Sequence, residues 1–236
     1  MARQPISTSV PSPVKRYLEW AGGEGKIKFY DKEKGENIMF ASLPKFAVLA
    51  ERFKITGFDD AKQKGISSTE GQNIGDELTI FVGGKPHEKG IYQELKINRG
   101  YNYTKSLYIV VFGKDGPQVM NLQLRGAAFS SWMNFLASKE QYAGKDKPVL
   151  HVDGLAITGA EAKKKGSTNY FEPIFEVVHL TEEEDLVAEK LQKEVNEYLS
   201  SRGKGNQTEA ANDFEEDEPV PEVAQEEVAQ VDDLPF

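Results

Sequence analysis

Between residues 98 and 105 the chain reads NRGYNYTK. In an extended backbone successive side chains point to opposite faces, so Arg99, Tyr101, Tyr103 and Lys105 project from one side and Asn98, Gly100, Asn102 and Thr104 from the other. Cations interleaved with flat rings suit an unpaired polynucleotide. Guanidinium and ammonium groups neutralise phosphates, and tyrosine faces stack on bases of any identity at ~1–3 kcal/mol per base. Tyrosine in a strand more often just stabilises the sheet; here the charged neighbours on the same face argue for a surface role. A second set lies in KKKGSTNYF. Lys163, Lys164 and Lys165 read as the tip of a hairpin loop, and Tyr170 and Phe171 open the strand after it on opposite faces, so that one of the two turns to the core. Tyr92 and Lys96, with Lys85 and Lys89, surround the first set in sequence, and Arg125 stands where it could hold a phosphate or a carboxylate.

Other chemistries lack their residues. His87, His151 and His179 are far apart and none sits in a metal-ligand spacing. The chain has no cysteine, so it offers neither disulfides nor thiolate ligands. No nucleophile elbow, phosphate loop or dinucleotide fingerprint occurs. The expectation is a binding protein without catalytic activity, cofactor or metal.

The elements that must position these side chains are mostly strands. Residues 1–12 read as loose, and Ser12-Pro13 looks like the cap and first turn of a short helix VKRYLEWA stopped by Gly22-Gly23. KIKFYD and NIMFAS form a hairpin, KFAVLAERFKITGFD a long strand, and DAKQKGISSTEGQNIGD a polar loop. ELTIFVGG, IYQELKI, TKSLYIVVFG and QVMNLQL follow as strands. In GAAFSSWMNFLAS the apolar residues Phe129, Trp132, Met133 and Leu136 make one helical stripe that packs on the sheet. PVLHVDGLAIT and NYFEPIFEVV are the last strands, and Leu107, Phe112 and Phe175 are assigned to the core.

Strong β content with one helix before the last hairpin predicts an OB-fold-like Greek-key barrel with additional strands over 13–180, the helix lying between its third and fourth strands. A generic α+β sandwich is the alternative. Thr181 and Glu184 form a capping box for a C-terminal helix over 181–201, with Val187, Leu191, Val195 and Tyr198 on one face. Residues 202–236 read as a disordered acidic tail. The net charge of −9 is unevenly placed: residues 206–236 hold 11 of the 38 acidic groups and none of the 29 Lys and Arg. Residues 1–181 carry 25 bases against 20 acids, a mildly basic body suited to polyanions. No apolar run marks a signal peptide or a membrane span, so a cytoplasmic location with no membrane partner is expected.

The chain closes on VDDLPF. An acidic arm ending in Asp232, Asp233, Leu234, Pro235 and Phe236 resembles the C-terminal arm of bacterial and phage single-stranded DNA-binding proteins. The body departs from the familiar bacterial form in length and in its extra N-terminal strands, which places the chain nearer the phage type. The resemblance implies sequence-independent binding and protection of single-stranded DNA in replication, recombination or repair. It also implies recruitment of a polymerase, helicase, primase or nuclease through the tip, and a homo-oligomer is compatible with it. In such a tip Phe236 fills an apolar pocket on the partner, its α-carboxylate meets Arg or Lys, and Asp232 and Asp233 add charge pairing at the rim. Alternatives are a phage structural or scaffold protein with an acidic recruitment arm, and a single-stranded RNA-binding protein.

Overall fold

The computed structural model describes residues 10–95, 100–143 and 153–204. In chain order its elements begin with β1 (Arg16–Ala21), β2 (Lys26–Asp31), β3 (Glu36–Phe40), β4 (Leu43–Asp59), β5 (Lys64–Ser68), β6 (Leu78–Val82), β7 (Lys85–Gly90) and the single helical turn α1 (Tyr92–Leu95). After these come β8 (Tyr101–Gly113), β9 (Gly116–Arg125), helix α2 (Ala127–Ala143), β10 (Gly154–Lys165), β11 (Thr168–Val178) and helix α3 (Glu182–Lys204).

One large mixed sheet unites the strands, in the order β3-β2-β1-β9-β8-β4-β5-β6-β7, with β10 added to β4 and β11 to β10. The long strand β4 is the hub. Along one edge it pairs antiparallel with β8; its other edge is shared by β10 near the start and β5 near the end. Among the described residues the single parallel contact joins β1 to β9. Between β11 and β1 there is no strand ladder among the described residues; they are joined by Phe171 N–H donating to Gly22 O at 2.8 Å and the Trp20 indole donating to Phe171 O at 2.9 Å.

The sheet curls around the main core. Leu18, Trp20, Ile27, Phe46, Leu107, Ile109, Leu122, Leu124, Leu155, Ile157 and Phe175 all point into it, and α2 fills it with Ala128 and Trp132. The α2 stripe packs as its spacing predicts: Phe129 and Trp132 are buried, and Met133 and Leu136 lie against the core. On the opposite face of the sheet α3 covers Ala47, Leu49, Ala50, Tyr108, Val110 and Val119 with Ala188, Val195 and Tyr198. Its capping box forms: Thr181 N–H donates to Glu184 Oε2 at 2.8 Å and Glu184 N–H to Thr181 Oγ1 at 3.2 Å. A smaller cluster of Ile55, Ile66, Leu78, Ile80, Val82 and Leu95 supports the β5–β7 layer.

Mainly β content, the helix between β9 and β10 and the C-terminal helix agree with the sequence reading. Several elements differ from it. The expected helix VKRYLEWA is strand β1, because Leu18 and Trp20 alternate into the core at a spacing of two, a period that a helix would not bury. The polar loop after β4 contains β5, whose Ile66 and Ser68 turn inward. Gly83 and Gly84, at φ 54° and 72°, make the tight turn that creates β7, which was not anticipated. IYQELKI is not a strand: Tyr92–Leu95 is a helical turn closed by Leu95 N–H to Ile91 O at 3.1 Å. The three lysines 163–165 belong to β10 instead of a loop tip, since pairing with β11 runs on to Lys165↔Thr168 and Gly166, at φ 58°, makes the turn. Residues 1–9, Lys96–Arg99 and the tail with Asp232, Asp233, Leu234, Pro235 and Phe236 lie outside the described residues.

Candidate nucleic-acid interface

Tyr101, Tyr103 and Lys105 do share one face of β8, but that face turns inward. The Tyr103 ring is packed by three others: Phe53 stacked at 5.2 Å, Tyr92 tilted at 4.3 Å and Phe129 edge-on at 5.8 Å. Its hydroxyl is buried and has no hydrogen-bond partner among the described residues. Burial pushes the phenols of Tyr103 and Tyr92 above their ordinary value. Tyr101 donates its hydroxyl to Glu88 Oε1 and packs on the β5–β7 cluster; burial, then the Glu88 hydrogen bond, raises its phenol as well.

Lys105 is buried at 5% exposure. Its ammonium meets Glu51 Oε1 at 3.2 Å and sits 3.9 Å from the centre of the Phe53 ring. Glu51 Oε1 also accepts the Trp132 indole N–H at 3.2 Å. Burial lowers the lysine's proton affinity, and the Glu51 carboxylate partly restores it. Lys105 therefore does not reach the surface from this face, while Tyr92, Tyr101 and Tyr103 are half-buried. Phe53 on the neighbouring strand and Phe129 on α2 supply the apolar lid that the local sequence of β8 does not reveal. Arg99 and Lys96 fall outside the described residues.

The lysine set is different. Lys163 stands directly across from Tyr170, Lys164 from Asn169 and Lys165 from Thr168. Lys163 pairs with Glu161 at 2.7 Å, and this hydrogen bond raises its proton affinity. Phe171 packs against the core, so Tyr170, one residue away, faces outward beside Lys163.

The outer face of the sheet is roofed over β4 and β8. Besides α3, the segment after β5 folds back so that Glu70 accepts hydrogen bonds from Ser106 Oγ at 2.8 Å and Tyr108 OH at 2.7 Å. Thr104, Ser106, Tyr108 and Asn121 are consequently buried. Beyond the roof lies the β1–β3 ribbon, and here aromatic and basic groups reach the surface. Among the described residues the aromatics counted as exposed are Tyr17 at 36% and Tyr30 at 41%; Met39, at 39%, is exposed beside them.

Register puts these groups together. Glu19 is opposite Lys28, and Lys28 is opposite Met39, so all three share a face; Tyr17 and Tyr30, two residues along their strands, share it too. Lys28 Nζ lies 3.3 Å from Glu19 Oε2, and Arg125, from the end of β9, pairs with the other oxygen of the same carboxylate. The face thus carries a tyrosine row and, about 7 Å further along the strands, a row of Lys28 and Arg125 bridged by Glu19. Arg16 lies on the opposite side of the ribbon, 4.9 Å above the Phe29 ring.

Sequence reasoning missed this ribbon as a site. The signal was present: KIKFYD places Lys26, Lys28 and Tyr30 on one face and Ile27 and Phe29 on the other. A helix over VKRYLEWA does not align Tyr17 with this strand face, so the local pattern alone does not bring the two tyrosines together. Among the described residues no group of three His, Asp or Glu side chains is placed to hold a metal ion, and no helix is long and apolar enough to cross a membrane. No family model, curated protein or solved structure matches the chain.

Proposed function

We propose that the protein binds single-stranded DNA without regard to sequence and that its acidic C-terminal tip recruits replication, recombination or repair proteins. The observation that carries this reading is the pair of exposed tyrosines, Tyr17 and Tyr30, set beside Lys28 and Arg125 on one sheet face. Bases stack on the rings while phosphates take the cations, and neither contact depends on base identity.

Connectivity supports the same reading. With β5–β7 set aside as an insertion, the succession β4, β8, β9, α2, β10, β11, with β4 antiparallel to both β8 and β10, is the order that an OB-type winding would require. In that barrel the third and fifth strands would meet; here β1 lies parallel to β9 and touches β11 through the Gly22–Phe171 bond, so the ribbon is wedged at the seam. The Lys163–Lys165 end of the last hairpin then corresponds to the loop between strands 4 and 5 that flanks an OB groove. Asp232, Asp233, Leu234, Pro235 and Phe236 keep the partner-docking role implied by their resemblance.

The test is a fluorescence titration of full-length protein with poly-dT and with duplex over a range of salt. Wild type should prefer the single strand and weaken linearly on a log–log plot against salt. The double substitution Tyr17→Ala, Tyr30→Ala should cost roughly 5- to 150-fold in affinity per ring. Equal binding of single strand and duplex, or an unchanged affinity in the double variant, would overturn the assignment.

A further inference from the structure

Strand β4 is interrupted on the edge that faces away from β8. β10 leaves that edge after Phe46, opposite Leu155, and the next backbone contact is the bridge between Phe53 and Gly71, with N–H to O distances of 2.8 Å in both directions. Among the described residues no strand pairs with the edge between these two points. Alternate residues of an antiparallel strand aim their N–H and C=O at opposite edges; Phe53 aims both at Gly71, so Glu51, two residues earlier, aims its own into the gap. Side chains take two of the carbonyls in this stretch. Gln192 Nε2, from α3, donates to Leu49 O at 3.1 Å, and Arg52 Nη1 donates to Glu51 O at 2.7 Å.

The gap is the floor of a cleft of about 410 Å³, within the range of small-molecule sites. Gln72, from the segment after β5, stands on one side, Gln192 and Asn196 of α3 on the other, and Arg52, Phe53 and the almost wholly buried Lys105 complete the wall. This wall is held in place before any ligand arrives. Tyr103 stacks on the Phe53 ring at 5.2 Å, the Lys105 ammonium sits 3.9 Å from its centre, and Glu51 Oε1 fixes that ammonium while accepting the Trp132 indole N–H.

The charges of the cleft are balanced. Lys105 is paired with Glu51, and Arg52 lies in the field of the Asp76 carboxylate. A bare ion gains little there, whereas a neutral ligand with donors and acceptors along a flat edge gains most. Three primary amides and a guanidinium beside one aromatic ring have the chemistry of base recognition: an Asn or Gln amide takes the amino group and N7 of adenine by two bonds, and Arg takes O6 and N7 of guanine. Thymine offers neither an amino group nor N7. We infer that the gap in β4 is a binding site for one unstacked purine base, seated against Phe53 with its edge toward the amides of Gln72, Gln192 and Asn196 for adenine and toward Arg52 for guanine. The base comes from a free nucleotide or from a bound strand. In the second case one position of an otherwise sequence-independent track favours purines; that extension rests on the proposed DNA binding, and the site itself does not.

Isothermal titration of the full-length protein with deoxyadenosine, deoxyguanosine and thymidine monophosphates compares ligands that share sugar and phosphate. Both purines should bind roughly 5- to 150-fold more tightly than thymidine monophosphate. Gln72→Ala combined with Asn196→Ala should lower the adenine affinity at least about fivefold at unchanged urea stability, since both side chains are exposed. Arg52→Leu should lower the guanine affinity and spare adenine. Tyr17→Ala with Tyr30→Ala should leave all three affinities as in wild type, because neither ring lines the cleft. Equal binding of the three nucleotides, or an adenine affinity untouched by loss of the two amides, would overturn the inference. Displacement of bound deoxyadenosine monophosphate by an adenine oligomer and not by a thymidine oligomer marks the strand as the source; its persistence marks the free nucleotide. If the purines bind as expected while poly-dT and duplex bind alike, the site stands and the single-strand reading fails. Preference for poly-dT over duplex without any purine margin leaves that reading and removes the site.

Discussion

Two stretches of this molecule carry the same alternation of tyrosine and cation and end in opposite environments. In β8, Tyr103 packs against Phe53 and Phe129 of α2, Lys105 against Phe53, and Tyr101 against the β5–β7 cluster; in the β1–β2 ribbon, Tyr17, Lys28 and Tyr30 turn outward. What separates them is whatever the fold lays over each face, not their local sequence. A lysine tolerates the interior when a carboxylate and a ring face meet its ammonium, as Glu51 and Phe53 do for Lys105. Cations beside aromatics are thus evidence for a binding strip only when nothing apolar is available to cover them.

The sharpest way to break the comparison is to truncate the matching ring on each side. Tyr103→Ala removes a ring packed against three others and should destabilise the fold by about 3–5 kcal/mol. DNA affinity per folded molecule should be unchanged. Removing Tyr17 and Tyr30 should do the reverse, leaving stability within ~1 kcal/mol because both rings are exposed. Urea unfolding beside the oligonucleotide titration reads both. A Tyr103→Ala protein of wild-type stability that no longer binds DNA would return the site to β8.

How much of this was legible follows from which signals are local. The central strands, the α2 stripe and the α3 capping box could be read because period and caps act over a few residues. Strand β1 could not, since RYLEWA acquires its conformation from a parallel partner a hundred residues away, Arg16↔Met120. The β7 hairpin was legible in principle from Gly83-Gly84 but was obscured by the polarity of KPHEKG. The interior fate of Lys105 was not legible at all, because its partners Glu51 and Phe53 belong to another strand.

A smaller effect tests the interior ring by its hydroxyl alone. Among the described residues the buried Tyr103 oxygen has no hydrogen-bond partner to lose, so Tyr103→Phe should be neutral or stabilising by about 1 kcal/mol at pH 8. The benefit should grow at alkaline pH. An unfolded tyrosine loses its proton near pH ~10, whereas burial holds the native phenols of Tyr101 and Tyr103 protonated to higher pH. Their stabilising contribution is therefore complete below pH ~10 and declines above it, as the unfolded state binds fewer protons than the native one. Replacing Tyr103 removes up to ~1.4 kcal/mol of that decline per pH unit. Urea unfolding at pH 8 and pH 11 decides it; parallel declines in the two proteins would mean that the Tyr103 hydroxyl reaches water.

The smallest expected effect concerns Glu19, which holds both Lys28 and Arg125 on the outer face as Glu51 holds Lys105 inside. The inner carboxylate compensates a buried charge whose other described neighbour is the Phe53 ring. The outer one occupies two cations that, under the proposed DNA binding, would meet phosphates, in a setting where water screens each pair to about 0–1 kcal/mol. Glu19→Gln should therefore leave the fold within ~0.5 kcal/mol. It should tighten binding of poly-dT by roughly 3- to 10-fold at low salt, since both cations become free to displace counterions. The log–log salt slope should steepen by up to about 1.4 if each cation then neutralises one phosphate, at ~0.7 per contact on a single strand. The gain should vanish as ionic strength rises and screening erases the pairs. If Glu19→Gln binds no more tightly than wild type at low salt, Lys28 and Arg125 lie off the DNA track, and the ribbon's tyrosines lose the neighbours that make them a site.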